Sequence, residues 1–225
     1  MTQRAPCFSS PSSPSRSAKV LLFDFDGTIA DTRPLAFEIL NELAEEFHFR
    51  TLLEKEIEEV SHMSTREFIR FLGISYLRLP LITRSGLIKF QAVSEKVQPI
   101  LKILHVLEEL KTRGFRLGIL TSNLESNVLT FLEKHQFYSF DFISTSSKLF
   151  GKCSQIRRLM KKHQLKADEI IYIGDETRDI EATKAVPIRI AAVTWGYNSA
   201  STLASMKPDF LFHRPEDLLT FEVAS

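Results

Sequence analysis

The chain has 225 residues, more than the ~150 of one ordinary domain and fewer than two such domains need, which suits a single core carrying a sizeable insertion. Lys and Arg number 29 against 28 Asp and Glu, and this near-neutral balance disfavours a dedicated nucleic-acid or membrane-surface binder, since both need a concentrated basic excess. Hydrophobic residues make up 44% of the chain and include 18 Phe, which excludes a wholly disordered protein; no run reaches the ~18 apolar residues that cross a bilayer.

Residues 1–18 are rich in Ser and Pro and hold no acidic residue. They bury too little apolar surface to offset chain entropy, so the composition predicts a disordered tail. Arg4 and Arg16 among the serines make an organelle-targeting peptide the alternative, disfavoured because no amphipathic helix is visible. A secretory signal is disfavoured too, for want of an apolar centre. Cys7 and Cys153 are the only cysteines, which fits neither a disulfide framework nor a zinc pattern and predicts a reducing, cytoplasmic setting.

Order is expected from Lys19. Val20–Phe23 is a short apolar run ending in Asp24-Phe25-Asp26-Gly27-Thr28, as expected of a strand buried on both faces. Pro34 opens a periodic stretch through Leu35, Ile39, Leu43 and Phe47, which predicts an amphipathic helix. Further helical patterns fall at Glu54–Val60, Thr65–Phe71 and Leu87–Lys96. From about Pro99 helices are expected at Ile100–Arg113, Glu125–Gln136, Lys152–His163 and Asp179–Ala185. Strands are expected at Phe115–Leu120, Phe140–Ser144, Ile170–Ile173 and Ile188–Val193. Such alternation predicts an α/β fold with a Rossmann-like, mainly parallel sheet.

The first crossover is too long. Thr28 and Thr121 are 93 positions apart, whereas a βαβ unit takes roughly 30 residues. The surplus has helical patterns of its own, so the chain divides into a core at 19–32 and 98–225 and a small helical insertion at 33–97. That insertion leaves at the carboxyl end of the first strand, where ligands bind in open α/β sheets, and is placed to act as a cap.

Four motifs stand at successive strand ends. Asp24 and Asp26 are two apart, so in extended chain their carboxylates point the same way and repel unless a divalent cation compensates them; a simple Asp-Gly turn is the plainer alternative. Thr121, Ser122 and Asn123 offer hydroxyl, amide and backbone donors to a phosphoryl oxygen, or form no more than a helix cap. Lys152 opens a helix against the helix dipole, which hints at another reason for its presence; Lys148 is its competitor. Asp175 stands where the run Ile170–Ile173 surfaces, and Asp179 lies four residues on. Oxygen ligands of this kind suit Mg²⁺, with Glu176 a further acid beside them.

Together, DFDGT, TSN, Lys152 and GDETRD resemble the four motifs of the haloacid dehalogenase superfamily. The resemblance extends over about 19–220 and is closest to the phosphoglycolate-phosphatase-like branch with a helical cap. Val193–Ser199 and Lys207-Pro208-Asp209 are similar to that branch as well. The chain departs from it at Lys184–Pro187, where a Gly is usual, and at Cys153, where a Pro is common after the motif lysine.

The resemblance implies a Mg²⁺-dependent phosphatase acting on a small phosphorylated metabolite, with no nucleic-acid or membrane partner; monomer and homodimer both stay open. It implies Asp24 as nucleophile, passing through an aspartyl-phosphate, and Asp26 as general acid–base. Thr121 and Lys152 would stabilise the transferring group, with Gly27, Thr28, Ser122 and Asn123 around the phosphate. Mg²⁺ would lie among Asp24, the Asp26 carbonyl, Asp175 and Asp179. Dehalogenating relatives lack the second Asp, so Asp26 favours phosphoryl transfer. Met63, Phe68 and Phe71 are expected to pack the cap or line a lid, and Trp195 and Tyr197 to flank the pocket or pack beside it. A phosphomutase of the β-phosphoglucomutase type is the alternative. A phospho-aspartate receiver is disfavoured because such domains lack the long insertion. A non-catalytic protein is disfavoured because clustered carboxylates without a ligand are destabilising.

Overall fold

The computed structural model describes residues 15, 17–146 and 151–224. The greater part of the expected tail, and Lys148, lie outside the described residues. In chain order the elements are β1 (Ser17–Ala18), β2 (Val20–Phe23), β3 (Ala30–Asp31), α1 (Arg33–Phe47), α2 (Ile57–Ser61), α3 (Thr65–Phe71), α4 (Leu79–Val93) and β4 (Gln98–Pro99). Then follow α5 (Ile103–Thr112), β5 (Arg116–Thr121), α6 (Glu125–Lys134), β6 (Phe142–Thr145), α7 (Lys152–His163), β7 (Ile170–Gly174), α8 (Thr177–Lys184), β8 (Arg189–Val193), α9 (Ala200–Ser205), β9 (Phe210–Phe212) and β10 (Glu222–Val223).

Six strands form one parallel sheet in the order β6-β5-β2-β7-β8-β9. The apolar run of β2 is central because it must be covered on both sides. Leu21 and Phe23 face one hydrophobic cluster with Val106, Leu107 and Leu110 of α5 and Phe131 of α6. Val20 and Leu22 face the other, with Ile156 and Leu159 of α7, Ile180 of α8 and Leu203 of α9. This is a helix–sheet–helix sandwich, and the period of two along β2 sorts its residues between the layers. Phe23 pairs in register with Ile119 of β5 and Ile173 of β7, so the carboxyl ends of three neighbouring strands lie side by side.

After β2 the chain passes through β3 into α1–α4 and returns through β4. β3 and β4 pair antiparallel, Ala30 with Pro99 and Asp31 with Gln98, which pins the way out to the way back. Helix α1 packs against α4, and Gly86 permits the approach: a Cβ there would sit 3.2 Å from Leu43 Cδ1. Among the described residues no helix is long and apolar enough to cross a membrane.

Several boundaries differ from expectation. α4 starts at Leu79 rather than Leu87, because Pro80 sits in the first turn, where a missing N–H is harmless, and Gly86 serves packing rather than termination. α8 starts at Thr177, two residues early, since the Asp179 carboxylate caps the Glu176 N–H from the third helical position. β6 begins at Phe142, and Phe140 instead packs its ring on Phe23 and Phe137. Ser17–Ala18, counted with the tail, pair in parallel with Glu222–Val223. The strand β9 and both two-stranded pairs carry no sequence signal strong enough to predict them.

Gly118 of β5 lies under the ring of Phe142, and a Cβ built on it would be 2.1 Å from Phe142 Cε2. Overpacking of this kind costs about 1–3 kcal/mol. Gly118→Ala is expected to lower the urea unfolding free energy by about that amount with the slope unchanged; a loss below about 0.5 kcal/mol would mean that the ring yields freely.

Candidate active site

The site is built at the carboxyl end of the sheet. Asp24 is the first residue beyond β2, and its N–H still donates to Ile173 O at 2.8 Å, which continues the strand pairing to the point where the side chain emerges. The Phe25 N–H donates to Asp24 Oδ1 at 2.8 Å. Lys152 opens α7 directly after Gly151 and is 2% exposed. Its Nζ lies 2.5 Å from Asp24 Oδ2 and 2.5 Å from Asp179 Oδ1. This bridge explains a cation set against the dipole of its own helix: two buried carboxylates outweigh one unfavourable helix end.

Asp175 follows β7 and is fully buried. Thr28 Oγ1 donates to its Oδ1 at 2.7 Å, and the Tyr197 N–H donates to its Oδ2 at 2.7 Å. Backbone closes in from two sides. A Cβ on Gly27 would come 2.4 Å from Asp175 Oδ2, and one on Gly196 would come 2.1 Å from it. Gly27 also has φ +74°, which a side chain would strain.

Asp26 turns back toward the end of β5. Asn123 Nδ2 donates to Asp26 Oδ1 at 2.9 Å, and Thr121 Oγ1 lies 3.4 Å from Oδ2. Asn123 is fixed for this task, because its Oδ1 accepts the Leu124 N–H at 2.8 Å and Asn127 Nδ2 at 2.7 Å. The amide end is therefore the one presented to Asp26.

Asp24, Asp175 and Asp179 each offer a carboxylate oxygen within 4.8 Å of the others. Burial raises the Asp24 pKa to about 7, with Lys152 opposing and Asp179 adding to the rise. Burial, then Glu176, Asp24 and Asp179, pushes Asp175 well above the usual carboxylate range. Asp26 is also raised, by burial first, with the Asn123 hydrogen bond opposing. Lys152 is held charged: burial works against the ammonium, and Asp179 and Asp24 overcome it. Lys152 alone bridges these carboxylates, with Arg178 acting on Asp24 from nearby, and proton uptake relieves the remaining repulsion unless a cation does so. A hard dication fits such an all-oxygen cluster, and Asp24, Asp175 and Asp179 would hold it.

All the expected site residues converge here, with differences in detail. Thr28 Oγ1 supports Asp175, and the Gly27 N–H donates to Ala30 O at 2.9 Å, so these two shape the loop. Ser122 Oγ lies 3.4 Å from Arg178 Nη1. Glu176 pairs with Arg178. Trp195 Nε1 donates to Thr28 O at 3.1 Å, and Tyr197 Oη meets Thr32 Oγ1 at 2.9 Å. Phe71 lies beneath the Arg50 guanidinium, 3.7 Å from its ring centre.

Sequence reasoning overlooked Arg178, Asn127 and Asn198. Arg178 carried the same signal as Lys152, a cation in the first turn of a helix. Asn198 joins the core to the helical segment: its Oδ1 accepts the Thr177 N–H at 2.9 Å, and its Nδ2 donates to Ser61 O at 3.0 Å and Met63 O at 2.8 Å. No local pattern marks a residue whose partners lie some 135 positions away.

The model of one protein family, described as haloacid dehalogenase-like hydrolase, matches residues 21–193. Phosphoglycolate phosphatase from Synechococcus elongatus is 29% identical over 89% of this chain and 95% of its own length. Pyrophosphatase PpaX from Bacillus velezensis is 26% identical over 88% of this chain and 94% of its own. Among solved structures, a haloacid dehalogenase-like family hydrolase from Streptococcus pneumoniae superposes with a TM-score of 0.75 at 22% identity, covering 90% of this chain and 97% of that one. The last likeness is one of fold.

The raised Asp24, Asp26 and Asp175 bind protons in the folded protein at pH values where the unfolded chain has released them. Their contribution to stability is therefore full below the ordinary carboxylate pKa of about 4 and is lost as pH rises through about 7 for Asp24. In EDTA the melting temperature is expected to fall between about pH 5 and pH 8, and to fall less in Asp24→Asn. Equal slopes in the two proteins would contradict the assignment.

Proposed function

The chain belongs to the haloacid dehalogenase-like hydrolases, and from that membership we propose that it is a phosphatase releasing inorganic phosphate from a small phosphate monoester. The observation that carries the proposal is the buried Asp24–Lys152–Asp179 bridge beside Asp175, with Asp26 two residues from Asp24 and held by Asn123. Relatives named phosphoglycolate phosphatase and pyrophosphatase share the transfer of a phosphoryl group to water, which supports the same chemistry here.

In this mechanism an Asp24 carboxylate oxygen attacks phosphorus. A bond forms between that oxygen and phosphorus, and the bond from phosphorus to the leaving oxygen breaks. Asp26, its pKa raised by burial, holds the proton that the departing alkoxide needs. In the second half-reaction Asp26 takes a proton from water as the water attacks the aspartyl-phosphate, which regenerates Asp24 and frees phosphate. Asn123 keeps Asp26 turned toward the reacting side. Lys152 lowers the energy of negative charge accumulating on the phosphoryl oxygens, assisted by Thr121 at the end of β5. Burial of the site keeps these charges effective by excluding bulk water.

A magnesium ion held by Asp24, Asp175, Asp179 and the Asp26 carbonyl would supply charge neutralisation and hold Asp24 ionised at neutral pH. Thr28 and the Tyr197 amide orient Asp175 for that role. The helical segment 33–97 acts as the cap, docked on the core through Asn198. Arg33 adds a bond to Gly196 O at 3.0 Å.

Purified protein in Mg²⁺ is expected to release phosphate from a panel of phosphate monoesters. Asp24→Asn reduces turnover to background, and Asp26→Asn lowers kcat by about 10²–10⁴-fold. Excess EDTA abolishes activity and added Mg²⁺ restores it. Full turnover by Asp24→Asn, or in EDTA, would overturn the mechanism.

A further inference from the structure

The groups assigned above account for phosphorus and leave a large cavity among the cap helices without a role. Its volume is about 860 Å³, within the roughly 300–1,000 Å³ of small-molecule sites. Its walls are mostly hydrocarbon, with Phe37 and Leu40 from α1, Val60 from α2, Phe68 from α3 and Met63 between them. These side chains are half-buried; Leu40 and Phe68 pack on the core cluster, and all of them line the space. A ligand of matching apolar chemistry would gain dispersion contacts with these walls.

The cavity meets the core at Glu176, Tyr197 and Asn198. Glu176 is the neighbour of Asp175 in the chain, and the Tyr197 N–H is bonded to the Asp175 carboxylate. It therefore runs from hydrocarbon at one end to the border of the carboxylate cluster at the other.

Its charged lining is adverse to anions. Glu38, Glu54 and Glu176 contribute to the wall, and Arg33 is the one cation among the described lining residues. The Arg33 guanidinium is already engaged, donating to Gly196 O at 3.0 Å and Asp31 Oδ1 at 3.4 Å. A substrate ending in a carboxylate would have to leave water for apolar walls and two acids, Glu38 and Glu54, Glu176 being paired with Arg178, and would meet one cation, Arg33, already bonded to Gly196 and Asp31.

We propose that this cavity receives the part of the substrate remote from phosphorus, and that this part is a bulky, uncharged hydrocarbon or aromatic group. The inference rests on the phosphatase assignment and sets the chain apart from relatives named for phosphoglycolate, whose remote group is a short carboxylate. The substrate class is the phosphate monoester of an apolar alcohol.

The test uses the full chain with Mg²⁺ and a series of primary alkyl phosphates from methyl to octyl, with phosphoglycolate beside them. kcat/KM is expected to rise about threefold to fourfold for each added methylene until the cavity is filled, and hexyl phosphate to exceed phosphoglycolate. Ala36 of α1 also lines the space. Ala36→Phe fills it from one wall and is expected to lower the ratio of hexyl to methyl phosphate kcat/KM by at least about tenfold. Its circular dichroism and melting curve establish that it is folded. A flat series, a preference for phosphoglycolate, or an unchanged ratio in folded Ala36→Phe overturns the inference. Absence of phosphate release from every ester overturns the phosphatase assignment instead.

Discussion

A single buried ammonium governs the architecture of the site. Lys152 stands between Asp24 and Asp179 with almost no access to water, and each contact depends on the other two groups being in place. Removing the lysine would strand two carboxylates in a medium that does not solvate them, while removing one carboxylate would leave the ammonium half-neutralised. Every element that positions these three groups is thereby constrained. β2 must end where it does, α7 must begin at Lys152, and α8 must set Asp179 in its first turn. Asp175 is a third buried carboxylate that, without a cation, is driven toward its protonated form, and this is the physical reason the cluster suits a dication.

The second constraint is the junction between the core and the helical segment. It combines one hydrophobic cluster, shared by Phe90 of α4 and Phe131 of α6, with polar bonds from the loop after β8. Asn198 caps α8 with its carbonyl oxygen and reaches the end of α2 with its amide, so the same side chain supports the Asp175 loop and the helical segment. Tyr197 joins Asp175 through its N–H and Thr32 through its hydroxyl. Movement of the helices relative to the sheet would act on the carboxylate cluster through these bonds. The antiparallel β3–β4 pair keeps both connections side by side.

Much of this was legible from residue patterns. The apolar run before Asp24 announced a strand covered on both faces, and the excess length of the first crossover announced extra helices before β5. The alternation after Pro99 announced the parallel sheet, with α7 predicted to its last residue. Errors gathered where tertiary contacts override local preference. Pro80 and Gly86 look like punctuation, yet one opens α4 and the other admits Leu43. β9 and the paired ends at Ser17 and Glu222 are too short to carry a periodic signal.

Sequence by itself determined which chemical groups are available and the order in which strands and helices deliver them, because hydrophobic period and turn residues are local properties. It determined that acids, hydroxyls and a lysine fall at strand ends. Only the tertiary structure decided which of them meet. Distances between side chains 128 positions apart, as for Lys152 and Asp24, depend on strand order and register. The same holds for the orientation of Asn123, for the pairing of Arg178 with Glu176, and for the apolar space among α1–α4. These are properties of packing, which a one-dimensional pattern constrains without fixing.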